Sequence, residues 1–162
     1  TDHATAITYS YAMAKDSTRS AKWAQTAHQR SPSAMTAYNL AISFERSGNQ
    51  TQFERLMEDA LRRSPDYTAA LSVYGHHLIA KGDPRGIEQV TRACDLLTRE
   101  LRSGALDPSD YHRLRRCAKT VGRSSVLADL DSHGTNPEQL DRAYSEEHLV
   151  RGAGTDLRSR NN

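Results

Sequence analysis

The sequence predicts an all-α protein built from consecutive antiparallel helix pairs. Three observations support this prediction: the chain repeats itself at intervals of 33 and 34 residues, its apolar residues recur at helical spacing, and glycine and proline fall between these apolar segments. Hydrophobic residues make up 36% of the 162 residues and aromatic residues only 6%. Small and medium apolar side chains suit helices that pack closely within one domain.

Corresponding residues recur through the first hundred positions, which is typical of repeat architectures. Three series of mostly apolar positions recur after 33 and then 34 residues, and two pairs of turn residues recur once at one of these intervals. The series are Tyr11, Phe44 and Leu78; Ile7, Leu40 and Tyr74; Ala27, Ala60 and Cys94; Pro32 and Pro65; and Gly48 and Gly82. Their common register indicates a repeated structural unit.

The second unit has the pattern of two helices. Its apolar stripes are Ala37, Leu40, Ala41 and Phe44, followed by Phe53, Leu56, Met57, Ala60 and Leu61. Gly48 is expected to end the first helix in a left-handed conformation, and Asn49 to cap the next helix. Pro65 ends the second helix, and Asp66 is expected to cap the one that follows.

The third unit repeats this plan. Asp83 is the expected cap of its second helix, and Pro84 is expected in the first turn. We predict turns near residues 15–16, 31–33, 48–49, 64–66 and 82–83, and no sheet. The predicted core residues are Leu40, Phe44, Phe53, Leu56, Ala60, Leu71, Tyr74 and Leu78.

These residues resemble the tetratricopeptide repeat, a helical hairpin of 34 residues. The matches are Tyr11, Ala27 and Pro32; Leu40, Phe44, Ala60 and Pro65; and Gly75, Gly82 and Asp83. The chain departs from the family pattern at Thr8, Ala41, Phe53 and Arg99. Residues 1–100 carry the resemblance, which implies a right-handed superhelical stack of about three hairpins. A generic helical-hairpin repeat is the structural alternative.

Residues 101–151 are predicted to form a helical extension that covers the last hairpin. Asp107-Pro108 starts a degenerate fourth hairpin, whose first helix ends at Gly122, and Asn136-Pro137 starts a C-terminal capping helix. The expected stripes are Tyr111, Leu114, Ala118 and Val121; Val126, Leu127 and Leu130; and Leu140, Tyr144 and Leu149. Residues 152–162 have the composition of a disordered tail.

The charge pattern gives no reason to expect nucleic acid as a partner. The formal net charge is +2, with 22 basic and 20 acidic residues interspersed. The densest basic run lies on one predicted helix and consists of Arg113, Arg115, Arg116, Lys119 and Arg123. A solvated helix face is the favoured interpretation of this run, and phosphate binding is the alternative.

Other features of the chain bear on its compartment. Cys94 and Cys117 lie in apolar helical patterns, which favours buried reduced thiols over a disulfide. No apolar run is long enough to cross a membrane, so we expect no membrane partner and a cytoplasmic protein. Because the chain opens with Thr1, it looks like a piece of a longer protein, from which a targeting signal could have been lost.

The sequence contains no established catalytic motif, so we do not expect an enzyme or a cofactor. His76 and His77 are adjacent and would point in different directions on a helix, so they predict no shared metal ion.

The resemblance implies a concave groove lined by the first helix of each unit. On this chain those positions carry a largely apolar strip: Tyr9, Met13, Met35, Tyr38, Ile42, Val73 and Ile79. Among the residues with which some members of the family clamp a peptide carboxylate, only Asn39 matches, so the resemblance does not imply capture of an acidic tail. The predicted partner-binding residues are Tyr9, Met35, Tyr38, Asn39, Ile42, Arg46 and His76, with Tyr38 and Asn39 as the anchors.

These residues predict a protein–protein interaction module or scaffold that binds a partner protein or peptide segment in an apolar groove. Self-association, or coverage of the groove by the chain's own terminal helix, is the competing explanation of the apolar strip. The alternative function is an accessory or regulatory domain of a larger enzyme or chaperone whose catalytic part lies outside this chain. A structural role in self-assembly is a third hypothesis.

Overall fold

The computed structural model describes residues 17–132, and within this range the chain forms helices and no β-strand. The helices are α1 (Ser17–Arg30), α2 (Ala34–Arg46), α3 (Gln50–Arg63), α4 (Thr68–Ala80), α5 (Arg85–Arg102), α6 (Tyr111–Val121) and α7 (Ser124–Ser132), with a 3₁₀ turn at Pro108–Asp110. The all-α prediction is confirmed for this part of the chain. The turn at 15–16, the capping helix and the tail lie outside the described residues.

Turns separate these helices at the predicted places, which are 31–33, 48–49, 64–66 and 82–83. Gly48 and Gly82 have φ angles of 77° and 76°, in the left-handed region that glycine adopts without a Cβ clash. The backbone N–H of Asn49 donates to the Phe44 carbonyl across the first of these glycines. Gly122, with φ of 72°, ends α6 in the same way.

The predicted helix caps are correct in one place and wrong in another. Asn49 caps α3, because its side chain accepts a hydrogen bond from the Gln52 backbone N–H at 3.2 Å. Asp66 does not cap α4: Tyr67 occupies the cap position and makes no side-chain cap bond. The Asp66 carboxylate instead accepts a bond of 2.7 Å from Arg92 Nε, in an ion pair whose two side chains are exposed and which therefore contributes little to stability.

Two further helix starts show how local side chains fix the boundaries. Helix α5 begins one residue later than expected, with Pro84 in the cap position, and the Asp83 carboxylate accepts from the Arg85 backbone N–H at 2.9 Å. Helix α2 begins with a capping box between Ser33 and Thr36, in which each side chain accepts from the other residue's backbone N–H. The sequence pattern does not indicate this box, because threonine stands where glutamate or glutamine is usual.

The described residues divide into two compact units, 17–65 and 66–132. The predicted boundary near residue 100 is a different division and stays a prediction. In the first unit, α2 packs against both α1 and α3. The core of this unit consists of Ala24, Ala27, Ala37, Tyr38, Leu40, Ala41, Phe53, Leu56, Met57 and Ala60.

Most of the predicted core is buried, but Phe44 is not. The buried members are Leu40, Phe53, Leu56, Ala60, Leu71, Tyr74 and Leu78. Phe44 is partly exposed, so its predicted burial is wrong. The buried part of α2 ends at Ala41, and the last turn carries the exposed residues Glu45 and Arg46. The apolar stripe of α2 therefore continues to Phe44, beyond the part of the helix that packs against its neighbours.

In the second unit, α4 and α5 approach each other at two glycines. A Cβ atom on Gly86 would lie 2.6 Å from the Gly75 carbonyl oxygen and 2.6 Å from the Ile79 backbone nitrogen. A Cβ atom on Gly75 would lie 2.7 Å from Val90 Cγ2. Since real Cβ contacts are longer, these positions hold glycine so that the two backbones can touch.

Helix α6 packs against α5 and contacts α4 and α7 within the same unit. Cys94 of α5 and Cys117 of α6 are buried free thiols, as predicted. Cys117 Sγ donates to Ser72 Oγ of α4 at 3.4 Å. Burial raises the pKa of both thiols, so they are protonated and unreactive at neutral pH.

Candidate functional site

Helix α2 carries four of the predicted partner-binding residues along one side. Met35, Asn39, Ile42 and Arg46 are spaced by four, three and four residues, which aligns them on the helix surface. The first three are partly exposed, and Arg46 is exposed. Helix α2 is fully buried on its opposite side at residues 37 and 41. We call these four residues the α2 row.

Tyr38 was expected to anchor a partner in a groove, but its side chain is only 6% exposed. Residues 36–38 are all buried, and three consecutive residues span about 200° of the helix circumference. The packed side of α2 is therefore wider than a single apolar stripe, and Tyr38 lies at its edge, beside the α2 row. Its expected exposure is wrong, and its aromatic ring contributes to the core.

The other two predicted site residues lie elsewhere. Tyr9 is outside the described residues. His76 belongs to the second unit, where it is half-buried between α4 and α6. Its Nδ1 lies 2.7 Å from the Ser72 carbonyl oxygen and its Nε2 lies 2.9 Å from Thr120 Oγ1. Both ring nitrogens are therefore engaged within the unit.

Electrostatics around His76 disfavour its charged form. Burial lowers the pKa of this imidazole, the Ser72 carbonyl raises it, and the charge of Arg116 lowers it further, with a net shift below the ordinary value. In the neutral state, Nδ1–H donates to the Ser72 carbonyl, and Nε2 lies beside Thr120 Oγ1, whose hydroxyl donates to the Arg116 carbonyl at 3.0 Å.

The basic run forms a solvated face only at Arg116, Lys119 and Arg123, which are exposed. Arg113 is buried and pairs with Asp110, while Arg115 is 13% exposed and donates to Asp131 Oδ1 at 3.0 Å. Arg123 pairs with Asp95 of α5 at 3.1 Å. The contacts of Arg115 and Arg123 connect α6, and the residues just after it, to α7 and α5. The spacing of the basic run did not indicate these contacts.

A cavity of about 550 Å³ opens on the first unit, and no local sequence pattern indicates it. Its walls come from α1, α2 and α3, and we call it the α1–α3 cavity. The lining residues are Gln25, His28, Gln29, Leu40, Arg55, Leu56, Asp59, Arg62 and Arg63. The spacing of Arg55, Asp59 and Arg63 could have indicated a charged helix side, but nothing local places His28 beside them.

Asp59 and His28 both line this cavity and lie close to each other. Asp59 Oδ2 accepts from Arg63 Nε at 2.9 Å, Asp59 Oδ1 accepts from Arg62, and His28 Nε2 lies 3.7 Å from Asp59 Oδ2. The other nitrogen of His28, Nδ1, lies 2.9 Å from Thr36 Oγ1, which belongs to the capping box of α2. The helix start thus helps to position the imidazole.

The cavity has a positive electrostatic character. Burial raises the pKa of Asp59, but the hydrogen bond from Arg63 and the charges of Arg63, Arg62 and His28 outweigh it, so the pKa lies below its ordinary value. Burial lowers the pKa of His28; the Asp59 charge opposes this effect, and Arg63 and Arg55 add to it. The three guanidinium groups exceed the single carboxylate.

Within residues 17–132, no three histidine, cysteine, aspartate or glutamate side chains are grouped as a metal site would require. In the same part of the chain, no helix combines the length and the apolar composition needed to cross a membrane.

No protein-family model matches this chain, and no curated protein matches it at a significant level.

Proposed function

We propose that this chain is a protein-interaction module that binds a segment of a partner protein along the α2 row. The observation that carries the proposal is the partial exposure of Met35, Asn39 and Ile42 on a helix that is fully buried at residues 37 and 41 on its opposite side. A helix in this position is held rigidly while one side stays accessible, which lowers the entropic cost of binding.

Each member of the α2 row offers a different contact. Met35 and Ile42 provide apolar surface, and the flexible thioether of methionine adapts to varied partners. The partly exposed Asn39 side chain can donate from its amide nitrogen to a backbone carbonyl of the partner, whereas its Oδ1 atom is buried. Arg46 can pair with an acidic side chain of the partner. From residue 35 to residue 46 the row spans about 16 Å, enough for two or three turns of a partner helix.

We also propose that the helix pairs α2–α3 and α4–α5 are tetratricopeptide-like hairpins. Three features support this part of the proposal. The two helices of each pair pack against each other, the pairs recur at the repeat interval, and both have a left-handed glycine at the corresponding turn position, Gly48 and Gly82.

A binding comparison tests the proposed function. The chain, immobilised, would be exposed to an extract of the cells in which it occurs, and captured proteins would be quantified by mass spectrometry. We expect that replacing Asn39 and Ile42 together by alanine reduces capture of at least one protein about tenfold. The matched control is Ile87→Ala, which removes an isoleucine that is 45% exposed in the second unit and should leave capture unchanged.

Two results would contradict the proposal. One is a folded double variant, checked by thermal melting, that captures the same proteins in the same amounts as the wild type. The other is a change of oligomeric state in sedimentation on making the double substitution, because a second copy of the chain would then occupy the row.

A further inference from the structure

We propose that the α1–α3 cavity is a second binding site, which takes glutamate or aspartate side chains from an acidic segment of a partner protein. None of the α2 row residues lines it, so this proposal goes beyond the proposed function and stands independently of it. It also differs from a carboxylate clamp on the first helix of each unit, because all of its polar lining residues come from α1 and α3.

The cavity has a suitable size and floor for side chains. Its volume of about 550 Å³ lies within the usual range for ligand sites. Leu40 and Leu56 line it and are almost fully buried, at 6% and 3% exposure, so they offer an apolar base for the methylene groups of an acidic side chain. Gln25 and Gln29 add exposed amide groups at the rim.

The charged groups of the cavity are incompletely neutralised. Arg62 and Arg63 each contact Asp59 through one nitrogen, and their side chains are 75% and 39% exposed. Arg55 Nε donates to Gln52 Oε1 at 3.0 Å, and Arg55 itself is exposed. Because a guanidinium carries several N–H donors in a fork that matches a carboxylate, these arginines retain donors for an incoming anion.

Asp59 contributes to the geometry of the site. By holding Arg62 and Arg63 from the same helix, its carboxylate fixes two guanidinium groups beside the cavity. Preorganised donors of this kind lose less side-chain entropy when a ligand binds. A carboxylate that enters the cavity would also approach His28, whose protonated form it would favour.

The test uses a peptide of alternating glutamate and glycine whose termini are acetylated and amidated. A glutamine–glycine peptide of the same length, with the same termini, is its neutral counterpart. Each is titrated into the isotopically labelled chain and followed by NMR. We expect saturable changes in the chemical shifts of His28, Gln25 and Gln29 with the glutamate peptide and none with the glutamine peptide. His28 should take up a proton when the glutamate peptide binds. The affinity should decrease as the salt concentration rises.

Variants locate the interaction. Replacing Arg55 and Arg62 together by glutamine should weaken binding about tenfold or more while leaving Asp59 paired with Arg63. Arg30→Gln is the matched control, since it removes an exposed arginine from α1 that does not line the cavity. It should change the affinity less than about twofold.

Several results would overturn the proposal: no saturable binding, equal binding of the neutral peptide, shifts confined to other residues, or full affinity in the double arginine variant. Tighter binding of a short oligonucleotide at the same residues would also overturn it, because the partner would then be a nucleic acid. None of these outcomes bears on the α2 row, which the Asn39 and Ile42 substitutions test separately.

Discussion

Two aromatic side chains on α2, Tyr38 and Phe44, differ in how much of their surface is buried. Both were assigned from the repeat register, Tyr38 to an accessible groove and Phe44 to the core. The structure reverses this assignment: Tyr38 is 6% exposed, whereas Phe44 is partly exposed near the end of α2. The repeat register indicates in which direction a side chain leaves its helix. Whether that side chain is buried depends on how far the neighbouring segments cover the helix.

This difference predicts unequal costs of truncation. Tyr38→Ala should lower the free energy of unfolding by about 3–5 kcal/mol, as for other core aromatic residues. Phe44→Ala should lower it by about 1 kcal/mol, because much less packing is lost. Urea denaturation of both variants measures the two values. A larger loss for Phe44→Ala than for Tyr38→Ala would contradict the packing described for α2.

His76 predicts a dependence of stability on pH. Its pKa in the folded chain is lowered, mainly by burial and further by Arg116, although the Ser72 carbonyl raises it. The unfolded chain therefore binds a proton more readily, and the stability that neutral His76 contributes is lost as the pH falls below the ordinary histidine pKa. The Tm should decrease between about pH 7.5 and about pH 5.5.

The His28 pKa is also lowered and acts in the same direction, so single variants separate the two contributions. His76→Gln, which keeps hydrogen-bonding groups near Ser72 and Thr120, should show a smaller decrease in Tm than the wild type. An unchanged decrease would mean that His76 makes no contribution.

At the scale of the helices, the contact between α4 and α5 depends on glycine. An alanine in a helix is normally favoured over glycine by up to about 1 kcal/mol. At Gly86, however, an added Cβ would meet backbone atoms of Gly75 and Ile79, which cannot move without separating the helices. Gly86→Ala should therefore destabilise the chain by about 1–3 kcal/mol, as overpacking does.

The matched control is Glu88→Ala, which changes an exposed residue in the first turn of the same helix. It should alter the unfolding free energy by less than about 0.5 kcal/mol. Chemical denaturation of both variants measures the difference, and a Gly86→Ala protein as stable as the wild type would show that the two helices do not touch there.

The helices were largely predictable because their limits depend on nearby residues. Gly48, Gly82 and Gly122 end helices where the sequence indicated, and Asn49 caps α3 through a residue three positions away. The cap expected at Asp66 is wrong because α4 begins at Thr68 with Tyr67 in the cap position, and the Asp66 carboxylate contacts Arg92, a distant residue in the chain. Such a contact follows from packing, which the local pattern does not encode.

For the chain as a whole, the candidate sites were only partly predictable. Helical spacing aligned Asn39, Ile42 and Arg46 correctly, since this needs only the period of an α-helix. The α1–α3 cavity depends on the approach of His28 to Asp59 between two helices that are not consecutive, and no periodicity reports such a pairing. The surface that contacts a partner is therefore best identified by a direct measurement.

Site-specific photocrosslinking in an extract of the native cells gives that measurement. A photoreactive amino acid would replace Ile42 in the α2 row or, as the control, the exposed Ile87. If the α2 row binds a partner, the probe at position 42 should form a crosslink to a distinct protein, and the probe at position 87 should not. A crosslink to that protein from position 87 alone, or none from position 42 in a correctly folded chain, would contradict the assignment of α2 as the binding surface.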